Sequence, residues 1–324
     1  MRIFVTGATG YLGSALCRRW ADDGHEITAL VRATSRREGL ESLGVGCCVG
    51  DVTDRVSMRE GMSGADWVVH AAAELDPRAP AEQVRRVNVD GSANVASLAF
   101  KLGVGRFLSI SSMAAFGGSP ADGSPGDEDS PVQMPFASSY SATKHEGQKV
   151  IEEVADQGLR VDTVYPGLIY GPPAKRRGAN TLLYRILSGR MPAIVGGNQI
   201  SCWVYIDDVV DGIARVMDRA KPGGRFLLTG EAATVDSLVS KVCSLAGMRP
   251  PRWRISVNGA EVLLLVMRAY FGLIGRRPPF SRQQLASLRR HWNFDDSRAR
   301  EELDWRPRGL DEGLPGTIDN LRAG

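Results

Sequence analysis

The chain has 324 residues, 43% of them hydrophobic, and a formal net charge of +3. A chain of this size can bury a sizeable core, as one two-lobed unit or two interdigitated domains. The small charge, without a basic stripe interleaved with aromatic residues, argues against a nucleic-acid partner. The four histidines lack metal-ligand spacing and the five cysteines lack a disulfide pattern, so we expect no metal and a reducing, cytoplasmic location. The first predicted strand starts at Arg2, which leaves no room for a signal peptide.

The first element in chain order is an apolar strand, residues 3–5, followed by a glycine-rich turn and an amphipathic helix. Gly7 can turn the chain, Gly10 lets backbone amides approach a pyrophosphate, and Gly13 lets the helix pack closely on the strand. The helix N-terminus then offers the positive end of its dipole to the phosphates. Strand, spacing and helix together predict a dinucleotide-binding turn. Its cofactor-binding residues are Gly7, Thr9, Gly10, Tyr11, Leu12 and Gly13.

The second predicted strand, residues 25–31, ends at Arg32, where an NAD-specific site would place an acid to hold the ribose hydroxyls. Arg32 and Arg36, with Arg37, offer guanidinium groups suited to a 2′-phosphate. NADP(H) is therefore favoured, with NAD(H) as the alternative. The structural alternative for these arginines is a solvated basic loop.

Further strands are predicted at residues 45–49, 67–70, 107–110 and 161–164, with helices between them. This alternation predicts an α/β fold of the Rossmann type, with a doubly wound parallel sheet. Asp51 follows the third strand and either accepts from the adenine amine or caps the helix that starts near Arg55. His70 is predicted to be packed or bonded to backbone rather than catalytic. Three small residues after the fourth strand would let a cofactor lie against the backbone: Ala71, Ala72 and Ala73.

The predicted chemistry lies in Ser112, Tyr140 and Lys144. Tyr140 and Lys144 are four residues apart, so on a helix both side chains lie on one face. A tyrosine with a pKa near ~10 is a poor acid–base catalyst at neutral pH, and a nearby ammonium is expected to lower that pKa. Ser112, at the carboxyl end of the fifth strand, would hold the substrate oxygen in the crevice typical of such sheets.

These residues resemble the extended short-chain dehydrogenase/reductase family, and the resemblance covers essentially the whole chain. Residues 6–13 are similar to the family's TGxxGxxG, Gly50-Asp51-Val52 to its adenine-side motif, and Ser112 with Tyr140 and Lys144 to its catalytic serine and YxxxK. Residues 165–172 resemble its RPGxxYGP stretch beside the nicotinamide, and residues 204–209 its late strand-to-helix motif. The resemblance implies a homodimeric NAD(P)-dependent enzyme, with further cofactor contacts from Val52, Pro166, Gly167 and Ile169.

Within the family, residues 30–37 and 226–231 look most like the dihydroflavonol-reductase-like branch, which includes hopanoid-associated sugar epimerases and 3β-hydroxysteroid dehydrogenases. Two departures bear on the substrate. Tyr165 replaces the arginine before Pro166, and Cys202-Trp203 stands where nucleotide-sugar enzymes often have Arg-Asp. The missing arginine would have gripped a pyrophosphate, so an uncharged, more apolar carbonyl or alcohol is favoured. Arginines from elsewhere could substitute: Arg185, Arg190 or Arg276.

The predicted cofactor domain comprises residues 1–173 and 201–232, and a smaller, mostly helical substrate lobe comprises residues 174–200 and 233–324. The expected substrate contacts are Glu74, Met113, Tyr170 and Trp203. Residues 260–274 are strongly apolar but too short to cross a bilayer, which needs about 20 residues. We predict a packed or pocket-lining helix, and an interfacial helix that touches a membrane is the alternative. The loop 117–138 is expected to be a mobile flap.

The sequence thus predicts an oxidoreductase that moves hydride between NADP(H) and a small ketone, sterol-like or flavanonol-like substrate, with Tyr140 as acid and base. One alternative is a sugar epimerase or dehydratase without net cofactor turnover. A second is a non-catalytic NADP-binding regulator, against which the complete set of Ser112, Tyr140 and Lys144 argues.

Overall fold

The computed structural model describes residues 1–76, 78–173, 178–273 and 282–323. Within these ranges the strands are β1 (Arg2–Thr6), β2 (Glu26–Val31), β3 (Gly46–Val49), β4 (Trp67–His70), β5 (Arg106–Ile110), β6 (Val161–Pro166), β7 (Leu168–Tyr170), β8 (Ala193–Val195), β9 (Ile200–Tyr205), β10 (Arg225–Leu228), β11 (Glu231–Thr234) and β12 (Trp253–Ile255). The helices are α1 (Tyr11–Asp22), α2 (Glu38–Glu41), α3 (Arg55–Met62), α4 (Ala81–Arg85), α5 (Gly91–Lys101), α6 (Ser139–Ala155), α7 (Ala179–Leu187), α8 (Ile206–Arg219), α9 (Val235–Leu245), α10 (Val257–Leu273), α11 (Arg282–Ser287), α12 (Ser297–Glu302) and α13 (Leu310–Ala323). A π-helical turn (Arg86–Asp90) joins α4 to α5, and a 3₁₀ helix (Met113–Phe116) follows β5.

The main sheet has seven strands in the order β10-β6-β5-β4-β1-β2-β3, and every neighbouring pair is parallel. This confirms the predicted doubly wound fold and its first six strands. The seventh strand, β10, was not predicted. The carboxyl ends of parallel strands share one edge of the sheet, and the strand order reverses between β1 and β4. The crevice at that reversal is where such sheets bind ligands.

Helices cover both faces of this sheet. On one face, α1, α8 and α12 pack with the buried side chain of Trp305. On the other face, α3, α5 and α6 form a second buried cluster around Phe107. The adjacent cysteines lie on opposite sides, Cys47 against the first cluster and Cys48 against the second, and all five cysteines are free thiols.

The remaining elements form a smaller, mostly helical lobe with two small sheets, ordered β11-β9-β7 and β12-β8. In this lobe, side chains of α7, α9 and α13 pack together in a third buried cluster. In α10, Ala260 and Leu264 pack against Leu285 of α11, so the predicted packing holds for one face of the helix. The predictions for residue 274 and Arg276 lie outside the described residues. Across the described ranges, no helix combines the length and apolarity needed to cross a membrane.

The loop at residues 117–138 is anchored by residues far away in the sequence, and its role as a mobile flap stays a prediction. The Arg290 guanidinium donates to the carbonyl oxygens of Gly117 (2.8 Å) and Gln133 (3.1 Å). The buried Glu128 carboxylate accepts from the Leu227 amide at 2.7 Å. Gly126 also forms a bridge with Phe294. Residues far away in the sequence therefore hold the loop at both ends and in the middle.

Candidate active site

The glycine-rich turn after β1 is shaped by close contacts that leave no room for side chains. Gly7 has φ +73°, and a Cβ there would lie 2.6 Å from the Ala71 carbonyl carbon. A Cβ on Gly13 would lie 2.2 Å from the Gly7 carbonyl oxygen. Gly10 differs because its φ is −76° and a Cβ would meet only that same oxygen, at 3.0 Å. The fold thus requires glycine strongly at positions 7 and 13, and less so at position 10.

Gly10 is the N-cap residue of α1, and no side chain caps this helix. The backbone N–H groups in the first turn of α1 therefore remain available to an anion, and the helix dipole favours a negative charge at this end. An exposed glycine at this point also lets a phosphate approach the backbone closely. These features fit the pyrophosphate of a dinucleotide.

The other residues of the turn have distinct surroundings. Thr9 is exposed, and Leu12 packs between two core clusters. The Tyr11 hydroxyl donates to the Gly171 carbonyl oxygen at 2.5 Å and accepts from the Asn180 amide at 3.3 Å. Burial raises the pKa of Tyr11 to about 12, so this phenol stays protonated. The Tyr11 side chain therefore links the turn to the region before α7.

The tips of β2 and β3 carry the residues expected at the adenosine end. Arg32 and Arg36 are exposed, and no carboxylate of the described residues lies within ion-pair distance of either. Asp51 accepts from the Thr53 amide at 2.9 Å. The prediction that Asp51 caps the helix is wrong, because Asp54 caps α3 by accepting from the Val56 amide. The side chain of Asp51 therefore lies beside the strand tip.

Val52 and the alanines after β4 differ in exposure. The Val52 side chain is buried in the core, so only its backbone could face a cofactor. The three alanines at 71–73 are partly exposed, and the amides of Ala71 and Ala72 donate to the Thr6 carbonyl and hydroxyl oxygens, both at 3.2 Å. These contacts hold the alanine backbone against the glycine turn.

The end of β6 carries Pro166 and Gly167, and Ile169 follows in β7. A Cβ on Gly167 would lie 2.8 Å from the Thr229 carbonyl oxygen and 2.9 Å from that of Cys202. The close approach of these two backbone segments therefore explains why position 167 is a glycine. Ile169 is half-buried between two core clusters.

Ser112, Tyr140 and Lys144 come together at the carboxyl end of β5. Ser138 caps α6 by accepting from the Ser141 amide, so Tyr140 and Lys144 lie one turn apart at the start of that helix. The Lys144 ammonium donates to the Ile110 carbonyl oxygen at 2.9 Å. Ser112 lies two residues after Ile110, the last residue of β5, and its side chain interacts with Tyr140. The predicted trio is thus assembled from one strand end and one helix.

The electrostatics of the trio differ from the sequence-based expectation. Burial raises the pKa of Tyr140, and the Ser112 side chain partly opposes that rise. Burial also lowers the pKa of Lys144 to about 8. The expectation that Lys144 lowers the pKa of Tyr140 is therefore wrong for this structure, because burial dominates the shift, Ser112 alone opposes it, and the ammonium is directed at a backbone carbonyl.

His70 lies at the end of β4 and is buried, as predicted, but its partners are side chains rather than backbone. Its Nδ1 lies 2.8 Å from the Thr6 hydroxyl and its Nε2 lies 3.0 Å from the Ser92 hydroxyl. The Ser92 hydroxyl donates to the Asn88 carbonyl oxygen at 2.7 Å, which leaves it free to accept from Nε2. Burial lowers the pKa of His70 to about 3, with a smaller effect from the Lys144 charge, so the ring is neutral.

Sequence reasoning missed Asn88, which joins the alanine loop to the catalytic helix. Its side chain accepts from the Glu74 amide at 2.7 Å and donates to the Thr143 hydroxyl at 3.1 Å. It lies in the π-helical turn, and a Cβ on Gly147 of α6 would lie 2.2 Å from its carbonyl oxygen. The available signal was an asparagine inside an apolar helical pattern, where asparagine is a poor helix former.

The four expected substrate contacts do not line a common open pocket. Tyr170 and Trp203 are 1% and 4% exposed and pack edge-to-face in the third core cluster. Met113 is also buried, in a separate cluster. Glu74 accepts from the Gln83 side chain and the Asp76 amide beside its own loop. The assignment of Tyr170 and Trp203 as substrate-facing residues is wrong, since β7 and β9 direct both into the core.

A cavity of about 580 Å³ lies in the smaller lobe, away from the catalytic trio's side chains. Two of its arginines are already paired, Arg254 with Asp236 and Arg289 with Glu261. A third, Arg290, binds the carbonyls of the 117–138 loop. The cavity therefore presents mostly neutralised charge. The rest of its lining comprises Gly196, Gly197, Asn198, Gln199, Ile255, Ser256, Val257, Asn258, Leu288 and His291.

Comparison with known proteins decides the family. Residues 3–228 match the model of the NAD dependent epimerase/dehydratase family. The chain belongs to this family. It is accordingly an enzyme of the extended short-chain dehydrogenase/reductase type, and this family binds a nicotinamide cofactor.

Two relatives align over nearly the whole chain. One is a putative dihydroflavonol 4-reductase of Synechocystis sp., 28% identical over 97% of this chain and 93% of that protein. The other is a UDP-glucose 4-epimerase of Mycolicibacterium smegmatis, 28% identical over 99% of both chains. The crystal structure of gox2253 superposes with a TM-score of 0.86 at 30% identity, covering 99% of this chain and 98% of that one. Reductase and epimerase relatives are thus equally similar, so identity alone does not choose between the two activities.

Proposed function

We propose that this chain is an NADP(H)-dependent oxidoreductase that moves hydride between nicotinamide and the carbonyl or secondary alcohol of a small, fairly apolar substrate. The observation that carries the proposal is the assembly of Ser112, Tyr140 and Lys144 at the same sheet edge as the glycine turn. A bound nicotinamide would supply or accept the hydride.

The preference for a 2′-phosphate rests on Arg32 and Arg36. Both are exposed, and no carboxylate of the described chain neutralises them. Neither residue is needed to complete an ion pair in the fold, so both guanidinium groups are free for a phosphate. The strand tip also lacks the acid that would hold ribose hydroxyls in an NAD-specific site.

Each residue of the trio has one task in the proposed reduction. The raised pKa of Tyr140 keeps its phenol protonated at neutral pH, which suits a proton donor to a carbonyl oxygen. Ser112 holds that oxygen and, through its interaction with Tyr140, stabilises the phenolate left after transfer. Lys144 would bind the nicotinamide ribose with its ammonium. In the oxidation direction the same phenolate would take the proton back.

The substrate class is inferred from charge. Cys202-Trp203 stands where nucleotide-sugar enzymes often have Arg-Asp, and both side chains are buried. A pyrophosphate without guanidinium partners loses charge-assisted hydrogen bonds worth about 1.5–3 kcal/mol each and still bears a desolvation cost. An uncharged ketone has no such penalty. Burying its rings would contribute roughly 25 cal/mol per Å² of apolar area.

The second candidate is epimerisation or dehydration of a nucleotide sugar, and the UDP-glucose 4-epimerase relative favours it. The two candidates differ in what they bind. We expect calorimetric titration of the NADP-loaded protein to show binding of alicyclic or flavanonol-like ketones and none of UDP-sugars. Micromolar affinity for a UDP-sugar, together with no ketone binding, would overturn the proposed substrate class. The homodimer and the cytoplasmic location stay predictions.

A further inference from the structure

The surface of α10 that faces away from the core is apolar. Val262 and Leu265 are 64% and 57% exposed, and Leu263 is 42% exposed. The opposite face, with Ala260 and Leu264, is already packed. Three large apolar side chains in four residues exceed the scattered exposure usual on a protein surface, and such a patch marks an interaction site.

The strand just before this helix adds an exposed aromatic side chain. Trp253 of β12 is 74% exposed. Arg252 and Arg254 flank it, and both are exposed. Tryptophan beside arginine is typical of the boundary between a bilayer and water, where an amphipathic ring sits at headgroup depth.

The charge around this surface is mostly positive. Residues 249–273 and 282–290 contain seven arginines, no lysine and one acid, Glu261. The whole chain carries only +3, so the rest of the molecule is net negative. Among the described residues, no carboxylate lies within ion-pair distance of the exposed Arg249 or Arg252, whereas the Arg282 charge acts on Glu261. The segment just before α10 thus contributes exposed guanidinium groups without a carboxylate partner.

We propose that the exposed apolar side chains Trp253, Val262, Leu263 and Leu265, together with the exposed Arg249 and Arg252 just before α10, dock the enzyme on an anionic phospholipid bilayer. The apolar side chains would enter the headgroup boundary while the arginines meet lipid phosphates. A second copy of the chain fits less well, because a two-fold dimer places the same patch against itself and would oppose basic on basic. The proposal does not depend on which substrate the active site takes.

Vesicle sedimentation with the full chain tests the proposal. We expect binding to vesicles of phosphatidylcholine and phosphatidylglycerol in equal parts to be at least about tenfold tighter than to phosphatidylcholine alone, and to weaken in about 0.5 M salt. Equal binding to both vesicle types, or binding to neither, would overturn it.

Two variants separate the apolar from the charged contribution. Leu263→Glu combined with Leu265→Glu, and separately Arg249→Glu combined with Arg252→Glu, should each weaken binding to anionic vesicles by at least about tenfold. The matched controls are Val56→Glu, an apolar residue 83% exposed on α3, and Arg160→Glu before β6. Both controls should bind vesicles like the parent.

Circular dichroism and light scattering show whether the variants remain folded and whether they change oligomeric mass. The side chains are exposed, so we expect unchanged melting temperatures. If the leucine variant instead changed the oligomeric mass and left vesicle binding intact, the surface would be a contact between copies and the proposal would fail.

Discussion

Tyr140 is the residue on which the proposed chemistry depends most directly. Replacing it with phenylalanine removes the transferable proton but keeps the ring and its packing. We expect Tyr140→Phe to lower kcat at least about 100-fold, with little change in the Kd for NADPH. Steady-state assays and fluorescence titration measure the two quantities. Turnover within about tenfold of the parent would place the acid elsewhere.

Lys144 gives a pH dependence with a definite sign. Its pKa is lowered to about 8, so the ammonium is protonated below that pH and neutral above it. We expect cofactor affinity to fall as pH rises through about 8, and Lys144→Met to bind NADPH more weakly and without that pH dependence. Cofactor titrations from pH 6 to 10 provide the measurement, about two units on either side of this pKa. A lysine variant with parental affinity at pH 7 would reject the role in ribose binding.

The same shift has the opposite consequence for stability. An unfolded lysine has a pKa of about 10.4, so between about pH 8 and 10.4 the unfolded chain binds the extra proton. This group therefore favours the folded state increasingly as pH rises through that window. Its burial costs most at lower pH, where the proposed binding of the cofactor needs the charge.

Arg32 tests the cofactor preference. We expect the parent to bind NADPH at least about tenfold more tightly than NADH, and Arg32→Ala to narrow that ratio by weakening NADPH binding alone. Arg160→Ala is the matched control, since Arg160 is also exposed but precedes β6 at the opposite edge of the sheet. Equal affinities for both cofactors in the parent would contradict the assignment.

At the scale of elements, the junction between β1 and α1 separates the requirements of the fold from those of the ligand. A Cβ on Gly13 meets backbone at 2.2 Å, whereas one on Gly10 meets it at 3.0 Å. We expect Gly13→Ala to lower the free energy of unfolding by about 1–3 kcal/mol. Gly10→Ala should cost less stability but weaken cofactor binding.

Gly39→Ala is the control for both glycine variants, because Gly39 lies in α2 with nothing near its Cβ position. Replacing Gly39 with alanine reduces the backbone freedom of the unfolded chain, so the free energy of unfolding should be unchanged or slightly higher. Chemical denaturation and cofactor titration give the two readouts. Equal stability losses at Gly10 and Gly13 would mean that the fold, rather than the ligand, requires both.

The elements that the sequence predicted were those with a local signal. The alternating apolar runs gave the strands through β6, and glycine spacing gave the turn before α1. The direction of a side chain was predicted wrongly where its burial depends on residues distant in the sequence. Trp203 reads as an aromatic side chain near the site, but its strand pairs with β7 and β11 and turns it into the core.

Contacts between remote segments were equally beyond sequence reasoning. The 117–138 loop has the glycine and proline content of a flexible segment, yet two distant residues hold it. Leu227 bonds Glu128 across 99 residues of sequence, and Arg290 bonds Gly117 across 173. The prediction of a lowered pKa for Tyr140 was wrong for a related reason. The spacing to Lys144 was correct, but the burial that dominates the shift depends on the whole sheet edge.

At the scale of the whole molecule, the two lobes carry different charge patterns. The exposed Arg32 and Arg36 lie at the tip of β2, whereas the exposed Arg249, Arg252 and Arg282 belong to the segments that precede and follow α10. The active-site chemistry and the proposed docking surface therefore lie on separate parts of the chain. Either proposal can fail without the other.

Net reduction of a carbonyl by NADPH is best tested by measuring the stoichiometry of the reaction. Purified enzyme is incubated with NADPH and a panel of alicyclic, sterol-like and flavanonol-like ketones, and cofactor loss and alcohol formation are quantified together. We expect one NADPH to be oxidised for each alcohol formed with at least one ketone, and both NADPH oxidation and alcohol formation to be lost in Tyr140→Phe. Conversion of a nucleotide sugar with the cofactor left unconsumed, and no ketone reduced, would contradict it.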